Sequence, residues 1–266
     1  MLGKLLKYEV KSTARIFLPL YASLLIFAVI NNIFIRINGE NNKLVISIIS
    51  GISIAAYVFI IIAIFVFTLF VMIQRFYKNL LGDEGYLMFT LPVKTGENII
   101  TKLLASMMWV IISVIVTLLS IIIISYNDNI FISILNSLSK ISLEINNVFG
   151  ISGYLFFAEA FIAIIMTLAT SILMVYASIA TGQMLNRHKL LGAFGAYLAF
   201  NMIMQIIVSI IVVIASAIEL NTVILMEYKN TIPHLIIIGI IFFNLTFTAI
   251  YYIITNLILS RRLNLE

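Results

Sequence analysis

Few residues in this chain have types or spacings that could do chemistry. Cysteine is absent, and the only histidines are His188 and His234. Without cysteine, and with two histidines far apart, the usual ligand sets for zinc are missing, and no metal is expected. His188 lies in the basic turn Arg187-His188-Lys189 and reads as part of a solvated loop. His234 follows Pro233 at the start of an apolar run and reads as an interfacial residue. No G-x-x-x-x-G-K-[ST] loop occurs, so the chain does not hold ATP in the P-loop manner. An intramembrane protease would need a nucleophile–base pair or a ligand cluster within its apolar runs, and neither pattern is present. The expectation is a chain that is not an enzyme and binds no cofactor of its own.

Glu159 is the one formal charge clearly inside an apolar run. An ionisable group there is costly and faces protein or water. It is either a gate or substrate contact or a residue near the outer surface. Two polar stripes accompany it. Asn201, Gln205 and Ser209 are spaced four apart and share one helix face. Asn244, Thr248 and Thr255 form a similar stripe further on. Such stripes either line a transport path or supply the interhelical hydrogen bonds that hold membrane helices together. The small-residue patch Gly192-Ala193-Phe194-Gly195-Ala196 permits close helix approach and is expected to serve internal packing rather than a dimer seam.

The elements that position these residues are helices in a bilayer. Of 266 residues, 63% are hydrophobic and 10% charged. A soluble domain is about 25% charged. Six apolar segments run roughly over 16–35, 44–73, 99–126, 149–185, 190–218 and 233–259. Each reaches the ~20 residues a spanning helix needs. The fold class is all-α: a single polytopic transmembrane domain over 1–266. The fourth segment, as one helix, would be about 55 Å long at 1.5 Å per residue, so it must tilt, project, or break near Gly150 and Gly153. Residues 1–15 read as a basic amphipathic helix in the interface: Leu2, Leu5 and Leu6 recur at helical spacing, with Lys4, Lys7 and Lys11 on another face. Residues 127–148 read as an amphipathic helix on the outer face.

Net charge is +5, but it lies in short clusters between the apolar runs, which argues against nucleic acid. With the N-terminus inside, twelve of the sixteen Lys and Arg fall on the cytoplasmic side. That bias places both termini in the cytoplasm.

The connection over 74–98 is the most informative stretch. After the second apolar run it reaches Gly82, a natural helix C-cap. Asp83 and Glu84 can then begin a short helix that ends before Pro92. Thr95 is a candidate N-cap for the third span, with Glu97 in its first turn.

Glu84-Gly85, then Leu91-Pro92-Val93, then Lys102-Leu103-Leu104 resemble the E-x-G … L-x-x-P-V … K-L-L stretch between the second and third spans of ABC-2-type permeases, the membrane subunits of type V ABC exporters. The stretch from Phe76 to Leu104 is similar to permeases common in low-GC Gram-positive bacteria, which implies a bacterial cytoplasmic membrane. The resemblance implies that the short helix is a coupling helix docking on a separate ATPase, present in two copies and holding ATP and Mg. Asp83, Glu84, Tyr86 and Leu87 would make the contacts, Gly82, Gly85 and Pro92 would set the geometry, and Leu91 belongs to the motif. It also implies a second permease chain, identical or homologous, and a peptide, antibiotic, lipid or drug-like substrate moved by alternating access. The outer connection 219–232 is shorter than the family pattern, and the longer outer segment lies between the third and fourth spans. Rival readings are a membrane sensor or immunity protein, and an ion-coupled secondary transporter; the latter predicts an inverted repeat, and residues 1–130 and 131–266 show none.

Overall fold

Ile, Val and Phe are mediocre helix formers in water, yet they fill every long element of this protein. In a bilayer each backbone N–H and C=O must be satisfied within the segment, so an uninterrupted apolar run becomes a helix. The computed structural model describes residues 2–41, 44–80, 94–125, 128–149, 153–185, 187–217 and 232–261. They form α1 (Leu2–Asn41), α2 (Leu44–Leu80), α3 (Thr95–Ile124), α4 (Asp128–Phe149), α5 (Gly153–Gly182), α6 (Lys189–Ala217) and α7 (Ile232–Arg261). No strand occurs among the described residues. Six of these helices, all but α4, are long and apolar enough to cross a membrane. The architecture is that of an all-α, multi-pass membrane protein.

Two expectations are corrected at element boundaries, and one open alternative is decided there. The lead-in 1–15 is not a separate interfacial helix; it forms the first turns of α1. Nothing between Arg15 and Tyr21 stops a helix except Pro19, and that proline is absorbed inside α1 at the loss of one backbone donor. Its two faces are as expected, with Lys4, Lys7 and Lys11 exposed and Leu2, Leu5 and Leu6 half-buried. Of the courses open to the overlong fourth segment, a boundary near Gly150 and Gly153 is the one found: α4 ends at Phe149 and α5 begins at Gly153, and the outer amphipathic segment and the fourth span are separate helices, as expected. Thr95 is the first helical residue rather than the cap. The carbonyl of Lys94 accepts from the N–H of Glu97 at 2.9 Å and of Asn98 at 3.4 Å, which gives Lys94 the capping position.

The chain divides into two compact units, 1–75 with 100–138, and 76–99 with 139–266. In the first unit, α1 turns one stripe inward. Thr13, Phe17, Tyr21, Leu24, Ala28 and Asn31 follow steps of four and three and are all buried. That spacing is the seam of helices crossing at a shallow angle. Phe17, Tyr21, Leu24 and Ala28 form one core with Tyr57, Ile64 and Val71 of α2 and Trp109 of α3. The Phe17 ring stacks on Trp109 with centroids 4.5 Å apart.

In the second unit, α5 packs against both α6 and α7. Its C-terminal half is buried on nearly every side, from Ala169 through Ala180 with Ser171 and Val175 as the exceptions. A helix that is apolar all round and buried all round is a core element. α6 is the opposite case: none of its most hydrophobic window is buried within the chain. α6 meets α5 at one close approach. A Cβ on Gly182 would run into the backbone of Ala193. The small-residue patch therefore packs internally through Gly192 and Ala193, while a Cβ on Gly195 would meet nothing.

Candidate functional site

The residues implied as ATPase contacts, Gly82, Asp83, Glu84, Gly85, Tyr86, Leu87, Leu91 and Pro92, lie outside the described residues. Their two supports are described. On one side α2 continues past the apolar run to Leu80. Phe76 in this extension is fully buried, and its ring lies flat on Tyr176 of α5, with centroids 4.1 Å apart and planes 7° from parallel. On the other side the chain enters α3 at Thr95. Gly96 in the first turn has no side chain, and the Tyr252 hydroxyl of α7 occupies the space where a Cβ would stand. Asn256, one turn further along α7, brings its Oδ1 to the same place. That oxygen is buried and has no hydrogen-bond partner among the described residues. Phe76, Gly96, Tyr176 and Tyr252 all belong to the second unit.

The first unit, taken by itself, contains a buried ion pair. Lys102 Nζ donates to Glu9 Oε2 at 2.6 Å, with side chains 3% and 11% exposed. Lys102 is the lysine of the K-L-L motif, and Glu9 is the acid in the basic lead-in. The two stand 93 positions apart, so nothing local in the sequence pairs them. Arg75, the last residue of α2 in this unit, donates to the Ser12 hydroxyl. A series of polar rungs follows along the helices. Trp109 Nε1 donates to Thr13 Oγ1 at 2.7 Å. The Tyr21 and Ser113 hydroxyls pair at 2.7 Å, and Thr68 joins them at 3.3 Å. Tyr57 and Ser120 pair at 2.7 Å. Asn31 Nδ2 donates to the Ser53 carbonyl at 3.3 Å, and Asn32 Nδ2 to the carbonyls of Ile123 and Ile124 at 3.0 and 2.9 Å. The sequence signal for this ladder was present: Ser106, Ser113, Thr117 and Ser120 stand on α3 at steps of seven, four and three, and all are buried.

Glu159 is not alone. His234 Nδ1 lies 2.7 Å from its Oε2, so the ring nitrogen donates to the carboxylate. Both side chains are partly buried, and the edge of the Phe156 ring faces the imidazole at 6.4 Å. His234 Nε2 is buried and without a partner among the described residues. Glu159 sits in the second turn of α5 and His234 in the first turn of α7. At 1.5 Å per residue, Glu159 is about 9 Å along its helix. The pair thus joins the beginnings of two helices rather than their middles.

The two polar stripes are placed differently. On α7, Asn244 is buried and its Nδ2 donates to the Ile240 carbonyl at 2.9 Å. The Thr170 hydroxyl of α5 lies 3.1 Å from the Asn244 carbonyl and 2.8 Å from the Thr248 hydroxyl. Thr255 is fully buried and donates to the Tyr251 carbonyl at 2.7 Å. On α6, Asn201 is half-buried while Gln205 and Ser209 are exposed, with Ser209 Oγ donating to the Gln205 carbonyl at 2.8 Å. The α7 stripe is therefore joined to α5, and the α6 stripe is not brought to it. Among the described residues no group of three or more His, Asp or Glu is arranged to hold a metal ion. No family model matches the sequence, and no curated protein or solved structure is similar enough to it to carry an argument.

Proposed function

We propose that this chain is the transmembrane permease subunit of an ATP-driven exporter of the ABC-2 type. A separate ATPase, two copies with ATP and Mg, supplies the energy, and two permease chains, identical or homologous, form the path. The single observation that carries this reading is the 74–98 connection. It carries Glu84-Gly85 and Leu91-Pro92-Val93 between the end of α2 at Leu80 and the start of α3 at Thr95, and Lys102-Leu103-Leu104 follows within α3. The excess of Lys and Arg at that end of the helices supports a cytoplasmic location for the loop and both termini, in a bacterial cytoplasmic membrane. In this reading the permease does no chemistry; its work is the differential stabilisation of two membrane conformations. A peptide, antibiotic, lipid or drug-like molecule is the cargo class. The test is co-purification from the native host in mild detergent. The wild-type chain retains an ATPase, and the Glu84→Lys, Gly85→Pro double variant loses it. A wild-type chain that retains no ATPase, in detergent and in lipid discs, overturns the reading.

One observation favours a second reading, an ion-coupled transporter. Glu159 and His234 form an ionisable pair within two spanning helices, a common feature of proton relays. Loss of uptake or efflux on collapsing the proton gradient with ATP still present would support it over the first.

A further inference from the structure

The loop over 81–93 joins α2 to α3, so the simplest mechanical picture has it pushing those two helices. The packing says otherwise. α2 belongs to the first unit only through Arg75, and α3 only from Ile100; the whole stretch 76–99 belongs to the second unit. Both feet of the loop stand on helices of that unit, one on α5 and one on α7. We infer that motion of this loop is delivered to α5 and α7 through two clamps, Phe76 on Tyr176 and Gly96 against Tyr252. The inference rests on the exporter reading and names the residues that would make the loop effective.

The first clamp has the properties of a pushing contact. Phe76 is 0% and Tyr176 1% exposed, so neither lipid nor water can yield when the end of α2 moves. Tyr176 lies where α5 is most enclosed, flanked on the helix by Leu173, Ala177 and Ala180, each at most 1% exposed. Close-packed interiors have low compressibility and transmit displacement. Parallel rings at 4.1 Å resist approach along their normal yet can slide in plane. The second clamp works by absence. Only glycine at position 96 allows the Tyr252 hydroxyl to rest on the first turn of α3. Tyr252 and Asn256 are four apart on α7 and present one face to that turn. Since α5 and α7 also pack on each other, the two feet and the two helices close a mechanical loop.

The chain has no cysteine, so spin labels can be placed at will. One label replaces Leu155, exposed near the start of α5, and one replaces Ile52, exposed on α2. Distances are measured by pulsed electron resonance on the complex with its co-purified ATPase, before and after adding ATP with vanadate. The wild type is expected to shift its distance distribution. Tyr176→Leu is expected to keep the ATPase bound and lose the shift, and Tyr176→Phe, which keeps the stacked ring, to retain it. Gly96→Ala is expected to lose the shift while remaining monodisperse. Adding Tyr252→Phe, which removes the hydroxyl that meets the new methyl, is expected to restore it. This rescue separates a coupling role from a folding defect. A full shift in both Tyr176→Leu and Gly96→Ala, with ATPase bound, overturns the inference and leaves the exporter reading standing. A wild type that binds no ATPase overturns both.

Discussion

The two units hold their helices by different means. In the first, side chains reach from helix to helix at successive levels: Glu9 with Lys102, Thr13 with Trp109, Tyr21 with Ser113, Tyr57 with Ser120, Asn31 with the Ser53 carbonyl. In the second, α5 meets α6 through a missing side chain at Gly182, and Phe76 through an aromatic face. There α5 is joined to α7 by Thr170 with Thr248 and the Asn244 carbonyl, and by Glu159 with His234, whose ring also meets the edge of Phe156. The difference matters because a bilayer supplies no hydrophobic force between helices. Association then depends on hydrogen bonds and on van der Waals fit. Hydrogen bonds are directional and weaken steeply when helices slide. A smooth seam of glycine, alanine and ring faces has several nearly equivalent settings. The first unit is built to keep one register; in the exporter reading, the second is the one that changes it.

The largest expected effect lies in the first unit. Lys102→Met removes one partner of a buried ion pair and strands the Glu9 carboxylate. Breaking such a pair from one side costs about 3–5 kcal/mol. Replacing both, Glu9→Gln with Lys102→Met, leaves no buried charge and is expected to recover most of the loss. Trp109 is the only tryptophan in the chain and sits in the core of this unit, so its fluorescence during thermal unfolding reports on it directly. A single variant as stable as wild type would mean that water reaches the pair and that the first unit is less firmly fixed than its geometry implies.

The next effect sharpens the comparison from the other side. Gly182→Leu places a side chain into the backbone of Ala193 and must push α6 away from α5. Overpacking of this kind costs about 1–3 kcal/mol. Gly195→Leu, on the same small-residue patch but facing open space, is expected to be neutral. Protection of a cysteine introduced at Ala180, which is fully buried on α5, measures both. The Trp109 transition should not move in either variant if the units respond separately.

How much of this could be read from the sequence depends on the range of the interaction. The helices were legible because an apolar run longer than the bilayer core has one backbone solution. The ends of α1 and α5 were less so. A basic lead-in followed by Pro19 invites a break, but one lost donor is a small matter for a 40-residue helix. The overlong fourth segment carries its own warning in Gly150 and Gly153, and α4 ends at Phe149 while α5 begins at Gly153. The polar partners were not legible. Glu159 and His234 each stand out by type, yet nothing in their spacing says that they meet, since they are 75 positions apart. The same holds for Glu9 and Lys102. The clamps were the least visible of all, because Phe76 and Tyr176 are ordinary aromatics in apolar surroundings, and Gly96 acts through what it lacks.

The smallest effects separate stability from movement. Ser113→Ala removes a rung from the first unit, and Thr170→Val removes one between α5 and α7 in the second. Neither leaves a fully buried group stranded: Thr248, which loses its Thr170 partner, is only half-buried. Tyr21 keeps the Trp109 carbonyl at 3.4 Å, and Thr68 keeps the Ile64 carbonyl at 2.7 Å. Asn244 still donates to the Ile240 carbonyl. Single interhelical hydrogen bonds in membranes average about 0.6 kcal/mol, so both variants are expected to lose about that much. Their consequences for motion should nonetheless differ. A rung in a unit with one register changes only its depth, whereas the Thr170 rung joins the two helices that, in the exporter reading, carry the motion. Thr170→Val is therefore expected to change the nucleotide-driven distance shift between labels at Leu155 and Ile52, and Ser113→Ala to leave it as in wild type. Equal responses from the two variants would remove the distinction between a fixed and a sliding unit, whatever their stabilities.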